Sequence, residues 1–135
     1  MKRKQRRNRN RFKVELKIHG SAKWAKDKKV TFVLKGYLFG NWLAQVDCFG
    51  DYDVTHARSG IIIFRLNPKT IKSLEERGFY IYPNESRKSL AFRIARKLRG
   101  LDLPLCPDTD VADMLPSELS EIKSQVFTKL GISYN

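Results

Sequence analysis

The sequence predicts an α+β fold: a mainly antiparallel sheet with helices packed on one face, preceded by a disordered Arg-rich N-terminal arm. Three observations carry this expectation. Apolar and polar residues alternate along the first third of the chain, a Gly-Asn pair turns that pattern back on itself, and helix start and stop residues bracket segments from residue 67 onward.

Residues 1–11, MKRKQRRNRNR, hold no apolar residue after Met1 and repel one another, so a disordered basic arm is expected there. Residues 12–135 then form a single domain, whose part from about residue 101 is acidic and helical. Phe12, Val14, Leu16 and Ile18 alternate with Lys13, Glu15 and Lys17, the period of a half-buried strand that ends at Gly20. The stretch SAKWAKDKK, 21–29, is a basic connection or short helix. Val30, Phe32 and Leu34 open a second strand, and Gly40-Asn41, placed between Phe39 and Trp42, tolerates the positive φ of a two-residue hairpin turn. The polar, glycine-bounded GDYDVTHARSG at 50–60 predicts a loop or a poorly formed strand. Ile61 to Phe64 and Leu66 form a nearly continuous apolar run, expected of a strand covered on both faces.

Asn67 as N-cap, Pro68 at the first helical position and Gly78 as the stop predict a short helix. Phe79 to Tyr82 predict another strand, closed by Pro83. Asn84 or Ser86 caps a helix running to Arg99, with Gly100 beyond it. After the proline-interrupted LDLPLCPDTD, the residues Leu119, Ile122, Val126 and Leu130 recur at helical spacing up to Gly131.

The formal charge of +13 is unevenly spread over the 135 residues. Residues 1–100 carry 25 bases and eight acids, whereas 101–135 carry two bases and six acids. Such polarity favours a polyanionic partner, because each neutralised phosphate releases condensed counterions and strengthens association without shape matching. DNA or RNA is the expected partner. No apolar run reaches the roughly 20 residues of a membrane span, and no secretory signal pattern follows the first basic residues. Cys48 and Cys106 stand alone, which argues against a disulfide framework or a zinc knuckle and for a reducing intracellular compartment.

Three segments are candidates for contact with nucleic acid. In the arm, Arg3, Arg6, Arg7, Arg9 and Arg11 can follow a groove and grip phosphates, with Asn8 and Asn10 able to reach bases. In SRKSLAFRIARKLRG, helical geometry at about 100° per residue gathers Leu90, Ala91, Ile94, Ala95 and Leu98 on one stripe. Arg93, Arg96 and Lys97 fall opposite, with Phe92 and Arg99 on the flank and Arg87 in the first turn. The arginine fork suits phosphate, and Phe92 among arginines suits a stacked base, unless it turns into the core. Trp24 among Lys23, Lys26, Lys28 and Lys29 is the third candidate, with a core or loop anchor as its plainer role.

An enzymatic rival rests on Asp47, Asp51 and Asp53 with His56, and on Glu15-x-Lys17 in the first strand. Converging carboxylates can hold Mg²⁺ for phosphodiester cleavage, making a small metal-dependent nuclease. The plainer reading gives Glu15 a wet strand face and the aspartates turn geometry. His19 and His56 as a metal-free acid and base are a weaker variant. There is no GxxxxGK[ST], GxSxG, HExxH or CxxC, so no cofactor or bound metal is expected. A third reading is a protein-interaction module, an inhibitor or assembly factor with an acidic partner. Conversely, the acidic 102–121 segment, with Asp102, Asp108, Asp110, Asp113, Glu118 and Glu121, can meet a basic protein or mask the chain's own basic surface. For Glu118 and Glu121 a place near a helix N-terminus explains the charge equally well.

Overall fold

A computed structural model describes residues 13–21, 29–47, 49–106, 109 and 113–134, with side chains from residue 33 onward. The expected arm at 1–11 and the basic connection at 22–28 lie outside the described residues. Five strands, β1 (Lys13–Ser21), β2 (Lys29–Phe39), β3 (Trp42–Val46), β4 (Tyr52–His56) and β5 (Ile61–Arg65), form one antiparallel sheet in the order of the chain. Among the described residues three α-helices follow: α1 (Pro68–Glu76), α2 (Arg87–Leu98) and α3 (Pro116–Leu130).

Short turns generate this meander, since antiparallel neighbours need only a tight connection. At the β2–β3 hairpin Gly40 takes φ +61° and Asn41 stays outside the left-handed region, the φ pattern of a type II′ turn. Gly36 has a stricter role. It pairs with Val14 on one side and Gln45 on the other, and a Cβ placed on it would lie 2.1 Å from the Ala44 carbonyl oxygen. Beyond Gly36 the sheet narrows: Lys29–Lys35 pair with β1 alone, as a two-stranded ribbon whose far ends are Ser21 and Lys29.

Cross-strand register sorts the side chains. Tyr37, Ala44 and Val54 stand side by side on one face, with Phe39, Trp42 and His56 in the neighbouring row. This face is covered by Leu90, Ala91, Ile94, Ala95 and Leu98 of α2, which lies across β3 and β4 and packs against α3 through Ile122, Val126 and Leu130. Trp42 is fully buried and its Nε1–H donates to the Leu101 carbonyl at 3.1 Å, tying β3 to the exit of α2. The opposite face carries a smaller cluster, Leu34, Leu43 and Ala57 with Leu38 against it. The expected α+β layering is therefore present.

The helix boundaries follow their caps. Asn67 Oδ1 accepts from the Thr70 amide at 2.8 Å, Ser86 Oγ from the Ser89 amide at 3.1 Å, and α3 closes on Gly131 at φ +80°. Glu118 Oε1 accepts from the Leu115 amide at 3.1 Å, so this acid serves the start of α3.

Three expectations are corrected. Residues 52–56 are an ordered interior strand, because Thr55 and His56 find hydrogen-bond partners and Asp53 the guanidinium of Arg65, which let polar side chains enter the core. The isoleucine run is an edge strand, with Ile61–Ile63 half-buried. A bulge explains its continuity: Phe64 pairs with Val54 and Ile62 with Thr55, leaving Ile63 as the additional residue. Phe79–Tyr82 alternate in burial as a strand would, but no strand among the described residues pairs with them.

Candidate nucleic-acid interface

The outward side of α2 is built from the N-cap upward. Asn84 adopts φ +61° and turns the chain, Ser86 caps, and the apolar stripe faces the sheet, so every cation of the helix is directed to its rim or to solvent. Their fates differ according to their neighbours. Arg87 Nη1 donates to Asp51 Oδ1 at 2.8 Å and braces the 47–51 turn against the helix, with both side chains partly in solvent. Arg93 is sequestered. Its Nε and Nη2 donate to the two oxygens of Glu85 at 2.9 and 2.7 Å, and Nη2 also reaches the Tyr80 carbonyl at 2.7 Å.

The guanidinium of Arg93 lies 5.0 Å from the Phe79 ring centroid and 4.7 Å from that of Tyr82. The hydrogen bonds from Arg93 hold the Glu85 carboxyl below its usual range against the opposing effect of burial, helped by the Tyr82 amide and the Ser89 hydroxyl. Lys88, Arg96, Lys97 and Arg99 are exposed, and none forms an ion pair with a described residue. Lys88 Nζ lies 5.1 Å over Tyr37, and the Arg96 guanidinium 5.6 Å over Phe39, so aromatic faces steady two of these cations without neutralising them.

Phe92 turns inward. Its ring packs at 4.6 Å against Tyr37 and 5.4 Å against Phe39, wedged between helix and sheet. Of the other predicted contacts, Arg3, Arg6, Arg7, Arg9, Arg11 and Trp24 lie outside the described residues. Lys88, Tyr80 and Tyr82 were not singled out from the sequence. The signal was present for the tyrosines, in the alternation of Phe79 and Ile81 with two phenols, and for Lys88 in its place one turn before Phe92.

The candidate aspartates and histidine are divided between the 47–51 turn and the two faces of the sheet. Asp47 Oδ1 accepts from the amides of Phe49 and Asp51, both at 2.9 Å, and shapes its own turn. Asp53 is almost wholly buried beside Gln45 on the face away from α2, with Arg65 Nη1 at 3.7 Å and no hydrogen-bond partner for Oδ2. Burial pushes its pKa up, Arg65 pulls it down, and Asp47 and Asp51 add to the rise.

His56 belongs to the opposite face. The Arg58 amide donates to Asn41 Oδ1 at 3.2 Å, which turns the Asn41 amide nitrogen toward His56 Nε2 at 3.0 Å. Nε2 therefore accepts, leaving Nδ1–H to donate to Ser59 Oγ at 2.8 Å. Burial, reinforced by Arg58 and opposed by Asp102, lowers the His56 pKa and keeps the ring neutral. Glu15 pairs with Lys35 at the base of the ribbon. Among the described residues no three His, Cys, Asp or Glu side chains are disposed to hold a metal ion.

Comparison with protein-family models, with curated proteins and with solved structures finds no match for this chain. No helix among the described residues is long and apolar enough to cross a membrane.

Proposed function

We propose that the protein binds DNA or RNA through the Arg-rich arm at 1–11 together with the outward face of α2, in a regulatory or architectural role rather than a catalytic one. The observation that carries this reading is the run of exposed cations Lys88, Arg96, Lys97 and Arg99 without acidic partners, on a helix whose other face is fixed in the core. Unneutralised charge on a rigid element is what phosphate contacts require, and a basic arm adds grip without base readout. The buried, hydrogen-bonded His56 and the turn-forming Asp47 fit structural duties.

Titration of the full chain, a chain lacking residues 1–11 and a Lys88→Ala/Arg96→Ala/Lys97→Ala variant against duplex DNA over a salt series tests the proposal. If the arm makes about five phosphate contacts, its removal lowers the slope of log K against log salt by roughly four to five. The helix variant is expected to lose roughly two to three from the same slope. A folded full-length protein that retains no nucleic acid in dilute salt overturns the reading.

A further inference from the structure

The aromatic pair Tyr80 and Tyr82 has no role in the core. The side chains are 62% and 54% exposed, and their rings meet edge to face with centroids 4.8 Å apart. Two large exposed aromatics held side by side are costly to keep in water unless something covers them. Here the backbone that carries them is anchored on three sides. Phe79 is buried, the Tyr80 carbonyl accepts from Arg93, and the Tyr82 amide donates to Glu85 Oε1 at 3.2 Å.

The anchor is an ion pair removed from water: the Glu85 side chain is 3% exposed and that of Arg93 21%. Such a pair contributes little net stability compared with apolar packing, and its geometric effect is to fix orientation. Arg93 also contacts the Tyr82 ring, so the pair determines how that phenol is presented.

From these observations we infer that Tyr80 and Tyr82 form a stacking site for an unpaired base of a single-stranded nucleic acid. The inference rests on the nucleic-acid reading above and narrows it from any phosphodiester polymer to one with exposed bases. Charge selects this occupant over an apolar peptide. Arg93 also walls a shallow groove of about 310 Å³ that is lined by Ser86, Lys88, Ser89, Phe92 and Arg96, so the side chain that contacts Tyr82 also borders a groove carrying two unneutralised cations, where a strand's phosphates would pass. Stacking needs an open π-face, which a duplex hides within its own stack and a single strand offers at each base.

The test uses the full chain and three probes: a thymidine oligonucleotide, an abasic deoxyribose-phosphate oligomer of equal length, and a duplex, each titrated by fluorescence anisotropy over a salt series. The intact protein is expected to hold the thymidine strand about tenfold more tightly than the abasic one for each base stacked. Tyr80→Ala/Tyr82→Ala should abolish that preference while leaving abasic affinity and salt slope unchanged. Tyr80→Phe/Tyr82→Phe, which keeps both π-faces, should restore it. Equal thymidine affinity in the Ala variant and the intact protein overturns the stacking site and leaves the broader reading standing. An Ala variant that weakens thymidine and abasic binding alike assigns the tyrosines to folding or phosphate contact, and also overturns it. Absence of binding to all three probes removes both.

Discussion

Strand β4 and helix α2 are both rich in ionisable side chains, and the two elements use them in opposite ways. In β4 the charged or titratable groups Asp53 and His56 are buried, and what they touch is the protein itself. In α2 the stripe Leu90 to Leu98 is buried and most cations remain in water. Chemical identity alone misleads here: the histidine and aspartate that resemble catalytic equipment are buried against partners within the fold, whereas lysines and arginines that resemble ordinary surface charge stay in water. Arg87 pairs with Asp51 at the surface, and Arg93, spent on Glu85 away from water, is closer in behaviour to β4.

The sharpest way to break the contrast is at His56. Replacing it by Ala removes a fully buried ring and strands the Ser59 hydroxyl and Asn41 amide, at a cost of about 3 kcal/mol in a denaturant titration. A loss below about 1 kcal/mol would show that the ring is dispensable to the core. Next comes Glu85→Gln, which leaves Arg93 without its counter-charge; about 2 kcal/mol is expected, less than for a fully interior pair because Arg93 keeps part of its side chain in solvent. Stability of the unaltered protein should also fall as pH drops from 6.5 toward the lowered pKa of folded His56, since the unfolded chain takes up that proton first. Thermal melts of His56→Asn over the same interval should lose this slope.

Asp53 works in the other sense. Its raised pKa means that the folded chain holds the proton longer, so its favourable contribution is complete below 3.8 and lost as pH rises through the elevated value. Near neutral pH Asp53→Asn should therefore change stability by less than about 1 kcal/mol or improve it. The smallest effect belongs to α2: Lys97→Ala is expected to alter stability by no more than about 0.5 kcal/mol, and a larger loss would place this lysine in the fold rather than at an interface.

The apolar stripe of α2, the Asn67 cap of α1, the α2 cap to within the pair Asn84 or Ser86, and the Gly40-Asn41 turn were legible because each depends on local periodicity or on a residue with a special backbone or capping role. Strand β4 was not, since Asp53, Thr55 and His56 are polar until their partners are known. Those partners, Arg65, Gln45, Ser59 and Asn41, sit in other segments. Phe92 lay at the border of the helical stripe, where a tilt toward Tyr37 and Phe39 decides its side. Phe79–Tyr82 carried a strand's alternation, but pairing is a property of two segments and none was in reach. Of the interface, the charge on α2 was readable and the sequestration of Arg93 was not, because it depends on where the turn at Asn84 delivers Glu85.

The ribbon beyond Gly36 has a mechanical consequence. Its seven residue pairs, Glu15–Lys35 to Ser21–Lys29, extend roughly 20 Å at the rise of an antiparallel strand. Ser21 and Lys29, the last pair of the ribbon, therefore stand at the end of a lever rather than in the body of the sheet. On the proposed nucleic-acid reading, a polymer that meets both this end and α2 is held at two points, and two weak holds so joined combine into avidity that neither supplies alone.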